Sequence, residues 1–184
     1  MYFDVIIAGF GGQGVMFIGN LLAVGAMNEG RMVTYMPVYG VEMRGGTANC
    51  TVVVADEEIG SPIVQNPVSA IIMNKPSLVK FGPRVQKNGL MAVNTSLIEP
   101  EAIDFPDVAT IHIPAMELAA EVGNDRLANM IMLGAVVAKT GVIKLDGLIE
   151  ALPYALDERY HKMIPANTKA LERGAEFIRQ HDQA

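Results

Sequence analysis

Asp4-Val5-Ile6-Ile7-Ala8-Gly9-Phe10-Gly11-Gly12-Gln13-Gly14-Val15-Met16 is the stretch on which the fold turns. Its first five residues suit a buried parallel strand, and Val15, Ile18, Leu22 and Ala26 then recur at helical spacing. Between strand and helix, Gly9, Gly11 and Gly14 meet the G-x-G-x-x-G spacing. In such a turn the first glycine allows a tight bend and the second lets a ligand approach the backbone. The third lets the helix pack closely on the strand, and the N–H groups at the helix start face any anion placed there. A phosphate-bearing ligand is therefore the first expectation, and a tight strand-to-helix turn without a ligand is the alternative.

Working outward, the helix is expected over Gly12–Glu29, with Gly30 as a left-handed terminator. Arg31–Met36 reads as a second strand stopped by Pro37, and a glycine-rich connection leads to a Val/Thr-rich strand over Thr47–Ala55. Further strands are expected at Ser69–Asn74, Leu90–Asn94 and Val108–Ile113, with a short helix opened by Pro76. Helices follow around Ala115–Glu121 and Arg126–Thr140, and the tail from Leu145 is helical, polar on one side. Strands alternating with helices over short links predict an α/β fold: a single Rossmann-like, three-layer domain over residues 1–184, with a mostly parallel sheet and a helical C-terminal tail. The helix Leu127–Lys139 is apolar nearly all round and must be buried on more than one side. That favours a subunit interface, a homodimer when the chain is isolated, with burial between sheet and tail as the other solution.

Composition narrows the function. The net charge of −6 argues against a nucleic-acid partner. The single cysteine, Cys50, excludes an internal disulfide and an iron–sulfur cluster ligated by cysteines of this chain alone. The N-terminus runs straight into the first strand without a basic leader, and no apolar run reaches the ~20 residues that span a bilayer. A cytoplasmic protein is expected, without a membrane partner.

An NAD site would need an acidic residue about 20 positions beyond the glycines, to bind the ribose. Here the second strand ends Tyr35-Met36-Pro37, Glu29 comes too early and Glu42 lies in the next loop, so a nicotinamide dehydrogenase is disfavoured. That loop, Tyr39-Gly-Val-Glu-Met-Arg-Gly-Gly46, can present the Arg44 guanidinium to an anion, with Glu42 orienting it or accepting from a ligand. A local Glu42–Arg44 ion pair is the plainer alternative. If the strands flanking the two loops are parallel and adjacent, both loops sit at one carboxyl edge, where α/β sheets bind ligands. His112, His161 and His181 have no metal-site spacing, and there is no P-loop and no G-x-S-x-G. No nucleophile and no metal site are expected.

Gly9-Phe-Gly-Gly-Gln-Gly14, Tyr39-Gly-Val-Glu-Met-Arg-Gly-Gly-Thr-Ala-Asn49, Ile59-Gly-Ser-Pro-Ile63 and Asn129-Met-Ile-Met-Leu-Gly-Ala135 occur here in one order. Together they closely resemble the gamma subunit of the 2-oxoacid:ferredoxin oxidoreductases, a family also found as a fused domain in single-chain pyruvate enzymes. The likeness runs from the first strand to the late helix, and the tail past Leu152 is less diagnostic.

The resemblance implies one subunit of a heteromeric enzyme, inactive alone, that oxidatively decarboxylates a 2-oxoacid to an acyl-CoA and reduces ferredoxin. Thiamine diphosphate and the iron–sulfur clusters are then expected on partner alpha, beta and ferredoxin-like delta subunits. The gamma chain would help hold coenzyme A, through Gly9, Gly11, Gly12, Gln13 and Gly14, while Glu42 and Arg44 assist at the active centre or an adjoining subunit. Glu42-Met-Arg-Gly-Gly-Thr-Ala-Asn-Cys50, Gly60-Ser-Pro62 and Met73-Asn-Lys-Pro-Ser77 resemble the 2-oxoglutarate and branched-chain types, 2-oxoglutarate first. The beta-type subunit of indolepyruvate oxidoreductase and a stand-alone coenzyme- or nucleotide-binding module are the alternatives.

Overall fold

The computed structural model describes residues 1–38 and 47–181. In chain order the elements are β1 (Tyr2–Phe10), α1 (Val15–Asn28), β2 (Met32–Val38), β3 (Thr47–Ala55), β4 (Ser69–Ile72), α2 (Lys75–Phe81), β5 (Leu90–Asn94) and β6 (Ala109–Ile113). Then come α3 (Ala115–Glu121), α4 (Ala128–Thr140), α5 (Leu145–Glu150), α6 (Leu152–Ala155) and α7 (Ile164–His181). The strands form one six-stranded sheet in the order β2-β3-β1-β4-β5-β6.

β1, β4, β5 and β6 are mutually parallel. Of the two conditions set for a shared edge, adjacency holds, since β3 lies beside β1, but it runs antiparallel to β1 and to β2. The reason is connection length: residues 39–46 are too few for the crossover of a dozen or more residues that a parallel neighbour needs. The antiparallel sense is what puts both loops at one edge, since a parallel β3 would begin at the opposite one. Phe10 at the end of β1 faces Thr47 at the start of β3, and Val38 at the end of β2 faces Asn49. Nor does Pro37 stop β2, which runs through it to Val38. A proline without an N–H is tolerated there because β2 is an edge strand.

Alternate residues of the strands feed two cores, which is why β1 reads as an unbroken apolar run. Val5 and Ile7 join Cys50, Val52 and Val54 of β3 under a helical layer that includes α1, α4 and α7. Ile6 and Ala8 join Ala70, Ile72, Met91 and Val93 under Leu78 and Phe81 of α2. The three layers are thus unequal, thick on one face and thin on the other.

α4 corrects the expectation of a subunit interface. Every residue from Ala128 to Val137 is buried within this chain, between the sheet and α7. The two helices meet backbone to backbone. A Cβ at Gly134 would stand 2.1 Å from the Leu171 carbonyl oxygen, and one at Gly174 would stand 2.0 Å from that of Ile131. α7 closes the layer with Ala170, Leu171, Gly174, Ala175, Phe177 and Ile178 inward. Among the described residues no helix is long and apolar enough to cross a membrane.

Candidate functional site at the carboxyl edge of the sheet

α1 begins at Val15 rather than at Gly12, so the turn after β1 is a true loop whose tip, Gly11 and Gly12, is exposed. Its glycines differ in their surroundings. Gly9 is buried, and a Cβ there would lie 2.7 Å from Gln13 Oε1 and 2.9 Å from Met73 Cβ. Gly14 sits at φ +73°, and its Cβ would fall 2.3 Å from Asn129 Nδ2 of α4. Close packing of helix on strand belongs instead to Gly19, whose Cβ would meet Cys50 Sγ at 2.4 Å. Among the described residues no side chain caps α1, and no acidic residue occupies its first turn, so none of them neutralises its positive end.

Gln13 folds back over the turn. Its Oε1 accepts from the Phe10 backbone N–H at 2.7 Å and from Asn74 Nδ2 at 2.9 Å. Asn74 is itself the cap of α2, accepting from the Ser77 N–H at 2.9 Å. Asn94, at the end of β5, donates to the Met73 carbonyl at 3.3 Å. These amides tie together the ends of β1, β4 and β5. Asn74, Asn94 and Asn129 are only 3%, 0% and 7% exposed, so their polar groups need those partners.

Beside this network lies a cavity of about 440 Å³, lined by Gly12, Gln13, Asn94, Met116, Arg126 and Asn129 among others. It opens next to the β1–β4 pair. From β1 the chain winds first to one side, through β2, and then to the other, from β4 onward. Such a switch point is where open α/β sheets bind ligands. Arg126 and Asp125 are exposed in its wall, and among the described residues no carboxylate forms an ion pair with the Arg126 guanidinium. A groove of about 1000 Å³ between α3, α5 and α7 is larger. Its wall mixes lysines and arginines with glutamates, including an Arg173–Glu121 pair at 2.8 Å, and reads as a solvated face.

The other candidates fall outside the cavity. Glu42 and Arg44 lie outside the described residues. Cys50 is fully buried, with Sγ 3.4 Å from the Val15 carbonyl, and burial pushes its pKa up to about 12. His161 and His181 contact backbone carbonyls at 3.1 and 2.8 Å. Among the described residues, no three His, Cys, Asp or Glu side chains gather as a metal-ligand group.

The structure thus brings Gly12 and Gln13 to the cavity, keeps Gly9 and Gly14 for packing, and adds Asn94, Asn129 and Arg126, which sequence reasoning had not placed in a site. Asn94 and Asn129 carried a signal: each is a polar residue at one end of an apolar run, Leu90–Val93 and Met130–Ala138.

Residues 4–177 match the pyruvate ferredoxin/flavodoxin oxidoreductase family. The chain belongs to this family. It is 38% identical over 179 residues to the ketoisovalerate oxidoreductase subunit VorA of Methanothermobacter marburgensis, covering 96% of this chain and 37% of that one. The chain therefore spans little more than a third of that relative's length. It is 33% identical to the 2-oxoglutarate synthase subunit KorC of the same organism, covering 95% of this chain and 96% of that subunit.

Two solved structures share the fold. The gamma subunit of a keto/oxoacid ferredoxin oxidoreductase from Geobacter sulfurreducens superposes with a TM-score of 0.82 at 23% identity, over 97% of this chain and 99% of that one. A 2-oxoglutarate:ferredoxin oxidoreductase from Magnetococcus marinus, solved with 2-oxoglutarate, coenzyme A and succinyl-CoA bound, gives 0.86 at 20% identity, over 97% of this chain and 31% of that one. The family expectation from the four motifs is met, and so is the mostly parallel α/β sheet with its C-terminal helix.

Proposed function

We propose that this chain is the gamma-type subunit of a 2-oxoacid:ferredoxin oxidoreductase, helping to hold coenzyme A and completing an active centre built largely by partner chains. The observation that carries this reading is the cavity at the β1–β4 switch point, where Gly12, Gln13 and Arg126 meet. Its volume of about 440 Å³ suits part of a coenzyme rather than the whole. The exposed guanidinium suits a phosphate, and Met73, Leu97 and Met116 suit a less polar portion. When bound, coenzyme A supplies the thiol that receives the acyl group, and the part of this chain is to bind and orient it.

The single buried cysteine fits a division of labour in which alpha, beta and delta partners carry thiamine diphosphate and the clusters that pass electrons to ferredoxin. Glu42 and Arg44 are assigned to the active centre or an adjoining subunit on the resemblance of the Tyr39–Gly46 motif to the family. The proposed acid is 2-oxoglutarate. A branched-chain 2-oxoacid is the second reading, favoured by the likeness to VorA.

Anaerobic purification from native cells, with mass-spectrometric identification of every co-purifying chain, tests the assignment. Thiamine-binding and cluster-bearing partners are expected, with ferredoxin reduction that requires coenzyme A and runs faster on 2-oxoglutarate than on 2-oxoisovalerate. Recovery of the chain alone from gently lysed cells would overturn it.

A further inference from the structure

The three amides that line the cavity are all oriented the same way. Gln13 Oε1 accepts from the Phe10 N–H, Asn94 Oδ1 from the Ser96 N–H at 3.2 Å, and Asn129 Oδ1 from the Met130 N–H at 2.9 Å. A backbone N–H can only donate, so the oxygen end of each amide is fixed on the protein. Their nitrogens are less fully engaged. Among the described residues each makes one long contact, Gln13 Nε2 to the Met73 carbonyl at 3.5 Å, Asn94 Nδ2 to the same carbonyl at 3.3 Å and Asn129 Nδ2 to that of Gly14 at 3.4 Å. A terminal NH2 carries two hydrogens, so one on each remains for a ligand. Asn94 and Asn129 are more than nine-tenths buried, where an unused donor is costly to leave unmatched.

Arg126 adds further donors at the wall and can accept nothing. Among the described residues, the one anionic group of the wall is the exposed carboxylate of Asp125. Met116 and Leu97 fill the space between with apolar surface, which strengthens any polar contact made there.

We propose that this cavity is a donor cradle for an oxyanion, held by the free amide hydrogens of Gln13, Asn94 and Asn129 with Arg126 completing the charge. The oxyanion is a phosphate of the coenzyme or the carboxylate of a 2-oxoacid. The naming of these two sources rests on the function proposed above, whereas the orientation of the amides does not. The exposed glycine tip then shapes the entrance, and the side-chain amides make the contact.

The test is side-chain NH2 resonance mapping on the ¹⁵N-labelled full chain. The probes are coenzyme A, its 3′-dephospho form, inorganic phosphate and 2-oxoglutarate, each to millimolar concentration. The NH2 pairs of Asn94 and Asn129 should move with a phosphate-bearing probe, and Arg126→Gln, at an exposed position, should weaken that probe about tenfold. Asn129→Asp keeps the acceptor for Met130 and replaces the donor with a charge, so it should weaken binding further. Shifts with 2-oxoglutarate alone would keep the cradle, identify its guest as a carboxylate and remove coenzyme A from this cavity. Coenzyme A binding that leaves these amides unmoved and is insensitive to Arg126→Gln would overturn the cradle while sparing the coenzyme assignment. Amides unmoved by every probe would also overturn it.

Discussion

Gln13 Oε1 occupies the space beside Gly9 that a side chain would need, 2.7 Å from where a Cβ would stand. That proximity couples two residues that the glycine spacing presents as separate ligand contacts. Gly9 is small so that the Gln13 amide can cross it and reach the Phe10 N–H and Asn74. Gly9→Ala should therefore break the Gln13–Asn74 link as well as crowd Met73, costing about 1–3 kcal/mol by the usual scale of overpacking. Chemical denaturation gives the stability change. If Gly9→Ala matches wild type, Gln13 is free to move and the link is not a constraint.

The α4–α7 contact makes a sharper prediction. Positions 134 and 174 meet backbone carbonyls, which cannot rotate away as a side-chain end can, at 2.1 and 2.0 Å from a built Cβ. Gly174→Ala should force the helices apart and cost about 3 kcal/mol or slightly more, the upper part of the overpacking range. An exposed change on the same helix, Glu172→Ala, should stay within about 0.5 kcal/mol. Thermal melts of both variants separate the two cases.

Much of this architecture was legible because local signals and packing agree. The apolar run before Gly9, the Pro76 helix start and the alternation of strands with helices each reflect one element. What escaped depends on pairing. Nothing within Thr47–Ala55 states its direction; only the shortness of the 39–46 connection does, since it permits a hairpin and forbids a crossover. The all-apolar α4 signals burial but not by what, and the small residues Gly134 and Gly174 that admit α7 lie 40 positions apart. The site was half visible for the same reason. Gly12 and Gln13 belong to a recognisable turn, whereas Asn94 reaches the cavity from the end of β5 and Arg126 and Asn129 from around the start of α4.

Cys50 should be silent in the native protein. Its thiol is fully buried, contacts the Val15 carbonyl, and has its pKa pushed up to about 12 by burial, so almost no thiolate is present at pH 8. Iodoacetamide should label no cysteine under native conditions and one after unfolding in denaturant. Rapid native labelling would mean that the packing of Gly19 on β3 opens readily.

Asp4 provides a pH test of the fold away from the cavity. It is 2% exposed and accepts from the Val68 N–H at 2.7 Å. Burial raises its pKa above the ordinary carboxylate value, although the Val68 N–H and Tyr2 pull it partly back. The folded state therefore holds this proton more tightly than the unfolded chain, whose carboxyl titrates near pH 3.9 (about the model-peptide value). Below that pH both states are protonated and Asp4 costs nothing. As the pH rises from there through the folded pKa, the unfolded state ionises first and stability falls, levelling off above the folded value. Asp4→Asn keeps an acceptor for Val68 and removes the charge. The variant should be more stable than wild type at pH 7, with the difference vanishing as the pH falls below about 4. Denaturation midpoints across that range decide it, and a wild-type advantage at neutral pH would mean that the carboxylate is stabilised by its hydrogen bonds more than burial penalises it.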